Sequence, residues 1–483
     1  MLAVVVTGVG ALLVPATTAT SAAYSVHVAV GRSGTAAADR VNGRLVGFNW
    51  RVGGAAVSPL HPRVMRSFAL RLGSISPAPG AYDFSASDAE IDDVEHTGAT
   101  PMLVIIERPA WAGGDIGAYR HVMDAVLRHY VMDRVAAGHR LPWFESGNEP
   151  EFPPTSHGQL PTQFADEVAA QAAAVAAIEI SGRLHLTYGG PGALFADPVI
   201  VAAFVAAARD AGRLPDFVSW HSYANAPLLG PDGPEDTSTP AAIAVWQADH
   251  GVNPAASPTV LGAGAGVIRA SVLAGLHPGE QMPRLLVTEW NLSSGGLDRR
   301  HDSFVGASHA LASLVEMQRN GVDGATFFSS VDRHCGTPTA PVDAEGFCGD
   351  WGTASADGHR KPVWNGFAWW DTLAGGRLLA SSGDDPASGW WAMSARVGGG
   401  VRVLLTSFSA SAPRDRTIVI HLDGCAGGAG ASATALRLDA RHAGSEAPER
   451  LGPVGKGVLT VLLPANGSAL ITITGCGNPP TFA

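Results

Sequence analysis

The sequence predicts an α/β chain built as a (β/α)₈ barrel followed by an antiparallel β-sandwich. Three observations carry that reading. Eight apolar runs of strand length recur between Arg44 and Ser329, segments of helical length separate most of them, and after Gly375 the hydrophobic period changes from 3.6 to 2. Strands that alternate with helices make parallel β-α units, and eight such units closed by a final helix match the size of a barrel domain.

The strand-like runs are Arg44 to Asn49, Phe68 to Leu72, Met102 to Ile106, Trp143 to Asn148, His185 to Gly189, Phe217 to His221, Leu285 to Glu289 and Ala325 to Ser329. Helical patterns are expected at Ala86 to His96, Tyr119 to Ala137, Thr162 to Ser181, Pro198 to Ala211, Ser303 to Asn320 and Trp364 to Leu373. The interval between the sixth and seventh runs is the longest, and its Gly- and Pro-rich stretches (Ala226 to Pro240, Gly262 to Gly266) predict an insertion. Period-2 strands follow at Trp390 to Val397, Val401 to Phe408, Thr417 to Leu422, Thr434 to Leu438, Val458 to Leu463 and Ala469 to Thr474, with Gly398 to Gly400 as a ready hairpin turn between the first two. Tyr24 to Val30 also alternates and is expected to join that sheet. The expected division is therefore a leader over 1–23, a strand-bearing segment over 24–40, the barrel over 41–374 and the sandwich over 375–483.

Met1 to Val14 is a short apolar run followed by small residues, which suits a secretory signal cleaved near Ala22 or Ala23 and predicts a secreted or cell-surface protein. The basic segment that usually precedes such a run is missing, as expected if the true start lies upstream. Only later segments could span a membrane, and none is long, apolar and uncharged enough. Four cysteines (Cys335, Cys348, Cys425, Cys476) fit two disulfides in an exported chain, with three pairings open; the sequential pairing keeps each bridge within one domain. No metal or other cofactor is expected, since His334 beside Cys335 has no C-x-x-C companion. A net charge of −11 is the wrong sign for a nucleic-acid partner.

Reacting groups in such barrels sit at the carboxyl ends of the strands. Two runs close in glutamate there: the fourth in F-E-S-G-N-E-P-E (Phe144 to Glu151) and the seventh in L-L-V-T-E-W-N (Leu285 to Asn291). Two carboxylates facing one another across a barrel mouth are what glycoside hydrolysis with retention requires, and Glu149 and Glu289 fit those places. Glu145 and Glu151 compete with Glu149, because residues four apart share a face of an ideal strand. Asn148 supplies an amide for a sugar hydroxyl. Aromatic rings stack on sugar C–H faces, which brings in Trp111, Trp290, Phe328 and Trp364, with Trp390 and Trp391 as a remoter surface. Arg71 and Asn49 close the second and first runs and could reach a hydroxyl or orient a glutamate; Asp332 and Arg333 follow the eighth. A serine hydrolase is disfavoured because the nearest G-x-S-x-G, Gly306 to Ala310, ends in Ala, and no H-E-x-x-H supports a metallohydrolase.

The N-E-P at Asn148 to Pro150, the T-E-W at Thr288 to Trp290, the D-F-V-S-W-H-S-Y at Asp216 to Tyr223 and the G-A-Y-D-F-S at Gly80 to Ser85 resemble the retaining clan-A glycoside hydrolases, most closely family 39, the β-xylosidase and α-L-iduronidase family. The chain departs from many relatives in having Ser146 and Gly147 before Asn148. The resemblance implies Glu149 as acid/base, Glu289 as nucleophile, and His221 and Tyr223 beside the nucleophile. It also implies an oligosaccharide, polysaccharide or glycoconjugate substrate, cleaved by a xylosidase-like or arabinosidase-like exo-enzyme. The rival reading is a non-catalytic carbohydrate-binding protein on the same scaffold, in which one glutamate would be turned outward.

Overall fold

A computed structural model describes residues 24–33, 40–150, 160–223, 257–338, 340–409, 413–425 and 430–476. The expected leader over 1–23, Glu151 and the Ala226 to Pro240 stretch lie outside them.

Strand β1 (Tyr24–Ser33) precedes a closed barrel of β2 (Gly47–Asn49), β3 (Val64–Arg71), β4 (Thr100–Ile106), β5 (Trp143–Ser146), β6 (Thr187–Ala193), β7 (Phe217–Tyr223), β8 (Arg284–Asn291) and β9 (Gly324–Phe327). All eight pair in parallel, and Phe48 opposite Phe327 closes the ring. Three helices begin at a capping oxygen that the sequence supplies: Asp115 accepts from the N–H groups of Gly117 and Ala118, Asp197 from Val199 and Ile200 with Pro198 in the first turn, and Ser303 from Val305. The expected single helix over Tyr119 to Ala137 is instead helix Ile116–Leu127 running into a wider π-type segment, Arg128–Asp133.

The Gly262 to Gly266 stretch is not an insertion but the middle of a barrel helix, Thr259–Gly275. Close packing explains its glycines. A Cβ on Gly262 would meet the Asn320 amide nitrogen at 2.2 Å, and one on Gly264 would touch Ala196 at 3.0 Å. Glycine's weak helix propensity, about 1 kcal/mol per residue, is overridden by the neighbour it admits.

The barrel interior is layered in steps of two residues, as strand alternation dictates. Val64, Met102, Phe217 and Leu286 form a buried apolar plug with Trp143 against it. Two residues further along the same strands come Arg66, Val104, Ser219 and Thr288, and above Trp143 comes Glu145. Apolar filling thus gives way to polar groups toward the carboxyl ends of the strands.

Beyond the barrel, β10 (Arg377–Ser382), β11 (Trp390–Val397), β12 (Gly400–Ser407), β13 (Arg416–Asp423), β14 (Ser432–Asp439), β15 (His442–Ala443), β16 (Glu449–Pro453), β17 (Val458–Leu463) and β18 (Ser468–Thr474) join β1 in one ten-stranded, mostly antiparallel sheet. It curls so that its two halves bury a shared core, consistent with a β-sandwich: Val26 and Val28 of β1 and Ile418 and Ile420 of β13 meet Val403 of β12 and Ile471 of β18. β1 lies between β10, which it meets antiparallel, and β13, which it meets in parallel. On β11, Trp390 faces that core while Trp391 faces the barrel helices, donating its ring N–H to Glu316 at 2.7 Å. Both rings are fully buried, so neither forms a binding surface. Disulfides join Cys335 to Cys348 and Cys425 to Cys476, the sequential pairing. Among the described residues, no helix is long and apolar enough to cross a membrane.

Candidate active site

The site grows out of Arg66, a residue that sequence reasoning missed. It sits in β3, fully buried, and its planar guanidinium spends its donors on three other strands. Nε donates to Glu145 at 2.5 Å, Nη1 to Glu289 at 2.6 Å and to the Asn49 amide oxygen at 3.1 Å, and Nη2 to the Asn148 amide oxygen at 2.7 Å. A planar fork suits this task where a flexible ammonium would not. Burial alone would lower the Arg66 pKa, but the adjacent Glu145 and Glu289 charges raise it above its ordinary value, so the cation is permanent.

Glu289 owes its position to an extra residue in β8. Trp220 pairs with Val287 but His221 pairs with Glu289, and the register toward β9 slips in the same place. A bulge of this kind re-aims the side chains that follow it. Glu289 turns to the barrel axis level with His221, and Trp290 turns outward. Its carboxylate accepts from Arg66 on one oxygen and from the Tyr223 hydroxyl, at 2.6 Å, on the other. Burial pushes the Glu289 carboxyl up, but the His221 and Arg66 charges and the hydrogen bonds from Tyr223 and Arg66 outweigh it and hold the group below the usual carboxylate range. Tyr223 is driven well above 10 by burial and by the Glu289 charge, and so stays a neutral donor.

Glu149 arrives differently. β5 ends at Ser146, Gly147 takes φ 79° and Glu149 itself takes φ 46°, with its N–H on the Gly192 carbonyl at 2.7 Å. Leaving the strand separates it from Glu145, which points below it into the Arg66 ion pair. Geometry thus sets Glu145 apart from Glu149, while Glu151 lies outside the described residues. His221, fully buried, brings Nδ1 to 2.8 Å from Glu149 and 3.8 Å from Glu289. One oxygen of each carboxylate and that ring nitrogen lie within 4.8 Å of one another. Glu149 keeps 22 % of its side chain exposed against 7 % for Glu289.

Of the other sequence-chosen residues, Asn49 is buried beneath the site, donating to the Thr288 and Thr326 carbonyls while holding Arg66. Asn148 presents its oxygen to Arg66, which leaves its amide N–H groups as the end able to meet a substrate. Phe328 lies edge-on to Tyr223 (ring centres 6.2 Å) with the Arg51 guanidinium 4.7 Å over its face. Trp290 is not at the mouth: it is fully buried between strands and helices, edge-on to Phe327. Trp111 packs on the barrel core with its ring N–H fixed to the Ser76 carbonyl at 2.8 Å. Arg71 is half-exposed and paired with Glu107 at the rim. Trp364 is buried under Arg360, its N–H on the Ala56 carbonyl.

Among the described residues, three groups of side chains are close enough to hold a metal ion. In two, Asp332–Cys335–Asp350 and Asp92–Glu95–His139, the charge is already met by Lys361 and by Arg134, and Cys335 is in a disulfide. The third is the Glu149–His221–Glu289 group, where Arg66 answers Glu289.

No protein-family model matches the chain, and no curated protein matches it in sequence. Solved structures do. A monomeric β-xylosidase from Caulobacter crescentus CB15 superposes with TM-score 0.70 at 20% identity, covering 94% of this chain and 99% of that one. The fold is the one these glycosidases share. A family-39 glycoside hydrolase from Xanthomonas axonopodis pv. citri superposes with TM-score 0.68 at 22% identity (96% and 99% covered), and a glucosidase from Croceicoccus marinus with 0.65 at 20% identity (94% and 99%).

Proposed function

We propose that the chain is a glycoside hydrolase that cleaves an O-glycosidic bond by double displacement with net retention. The observation that carries this reading is the meeting of Glu149 and Glu289 around His221 within 4.8 Å. Carboxyl groups of retaining enzymes stand about 5–5.5 Å apart, those of inverting enzymes roughly 6.5–9.5 Å. Both glutamates face inward, which weighs against the non-catalytic carbohydrate-binding alternative.

Glu289, kept ionised by Arg66 and Tyr223, attacks the anomeric carbon as the bond to the leaving oxygen breaks and Glu149 delivers its proton to that oxygen. A glycosyl ester on Glu289 results. Glu149, now a carboxylate, takes a proton from water, which attacks the same carbon and frees Glu289. Asn148 is placed to donate to a sugar hydroxyl, Tyr223 and Arg66 orient the nucleophile, and Phe328 borders the mouth. Catalysis needs no metal in this scheme.

We extend the reading to a secreted exo-enzyme of xylosidase or arabinosidase type, with 41–374 as the catalytic domain and 24–40 and 375–483 as its companion sheet. Two disulfides fit an oxidising compartment. The test is to incubate purified protein with aryl β-D-xyloside, α-L-arabinoside, β-D-glucoside and α-L-iduronide and follow the first-formed anomer by NMR. Retention is expected; a first product of inverted configuration would replace the covalent scheme, and no turnover of any glycoside would remove the enzyme reading.

A further inference from the structure

Beside the carboxylate pair, a cavity of about 520 Å³ opens between the loops that follow β2, β3 and β9. Its charged wall consists of Arg51, Arg71, Glu90, Asp332 and Arg333. Three of these five have partners: Arg71 pairs with Glu107, Glu90 accepts from the Ser67 hydroxyl, and Asp332 holds Lys361 at 2.7 Å. The guanidiniums of Arg51 and Arg333 donate to no protein group among the described residues; only the backbone N–H groups of the two residues donate, to Ser330 and Asp350. Arg51 is half-buried and stacked on Phe328, whose ring in turn meets Tyr223, the partner of Glu289. Burial, then the charge of Arg333, press its pKa below the ordinary value, against the pull of Glu289.

A half-buried cation with no ion-pair partner among the described residues, next to a second one, is an expense in stability that a bound anion would offset. We propose that Arg51 and Arg333 form a subsite for an acidic substituent of the glycan, a carboxylate or a sulfate ester, next to the bond that is cleaved. The stacking of Arg51 on Phe328 fixes the plane of its fork, which suits bidentate recognition of such a group. The proposal rests on the glycosidase reading for its substrate but not for its binding test.

4-Nitrophenyl β-D-xyloside and 4-nitrophenyl β-D-glucuronide differ only by the carboxylate on C5, which makes them a matched pair; 4-nitrophenyl β-D-glucoside and its 6-sulfate make a second. Calorimetric affinities are measured on the full chain carrying Glu289→Gln, so that no turnover intervenes. The acidic member of at least one pair is expected to bind tenfold or more tighter than its neutral partner, and which pair shows it tells a uronic acid from a sulfate ester. Arg51→Met or Arg333→Met, added singly, should bring that ratio to within about twofold of one, with Arg51→Lys retaining part of it. Arg333 is exposed, so its variant keeps the test available if Arg51→Met fails to fold. Equal affinity for acidic and neutral partners in both pairs, or a preference untouched by both substitutions, overturns the subsite. If the wild type hydrolyses the xyloside and no pair shows a preference, the subsite fails and the glycosidase reading stands. An Arg51-dependent preference without any turnover gives the reverse.

Discussion

Arg66 and Lys361 are both buried cations that hold two carboxylates each, and they differ in what meets those carboxylates on their other side. Arg66 joins Glu145 and Glu289 at the barrel mouth; Lys361, equally buried, joins Asp302 and Asp332 at 2.8 and 2.7 Å and donates to the Asp350 carbonyl, under the loop that follows β9. Around Lys361 the charges are closed off by backbone. Asp350 takes the N–H groups of Arg333 and His334, and Asp332 that of Gly352. Around Arg66 the other oxygen of Glu289 meets side chains, the Tyr223 hydroxyl and the His221 ring, rather than backbone N–H groups. The same physics yields a staple closed by backbone in one place and a carboxylate held by side chains in the other, and the difference lies in which neighbours have N–H groups to give.

The largest effect that would break this comparison is on activity. Glu289→Ala should lower kcat by about 10⁴-fold or more on every glycoside, since the covalent step is lost; retained turnover removes Glu289 from the chemistry. Glu149→Ala should cost roughly 10²–10⁴-fold on natural linkages, the usual worth of general acid catalysis. Aryl glycosides with good leaving groups should suffer distinctly less, and equal losses on both would count against the acid assignment. Lys361→Met should leave activity measurable per folded molecule but cost about 3–5 kcal/mol of stability, read from urea unfolding, because two carboxylates lose their buried partner. Burial raises Asp332 to about 6, the opposing Lys361 charge notwithstanding. A folded pKa above the ordinary carboxylate value means that its contribution to stability is lost as pH rises through about 6, so the cost of Lys361→Met should shrink below that pH.

The smallest effect sits at the junction of barrel and sheet. His309, on helix Phe304–Arg319, faces Phe408 edge-on and is pressed by burial to about 3. Neutral in the folded state and protonated when unfolded, it makes stability fall as pH drops from about 6.5 toward 3, by at most about 1.4 kcal/mol per pH unit. His309→Leu should flatten the Tm profile in that window; an unchanged slope would show that other groups set it.

The barrel was legible because strands buried on both faces read as apolar runs and helices between them as a 3.6 period. The two glutamates were legible because they close such runs. Arg66 was not, since the unbroken apolar run starts only at Phe68, whereas β3 begins at Val64; a charge two residues after Val64, next to that run, was the available signal. Trp290 was misplaced because one inserted residue in β8 reverses which side chains face the axis, and no single sequence announces a bulge. The helix Thr259–Gly275 was hidden because its glycines serve Asn320 and Ala196, which are distant in sequence.

The position of β1 has a consequence for how the chain is made. Its residues emerge from the ribosome before the whole barrel, yet Tyr24 pairs with Ile418 and His27 with Ser382. This strand must therefore wait for its partners through translation of everything between, and the sheet can be completed only once β10 and β13 exist. A barrel expressed without its ends would lack that late clasp, and its helix Phe304–Arg319 would be left with an apolar face bare to water.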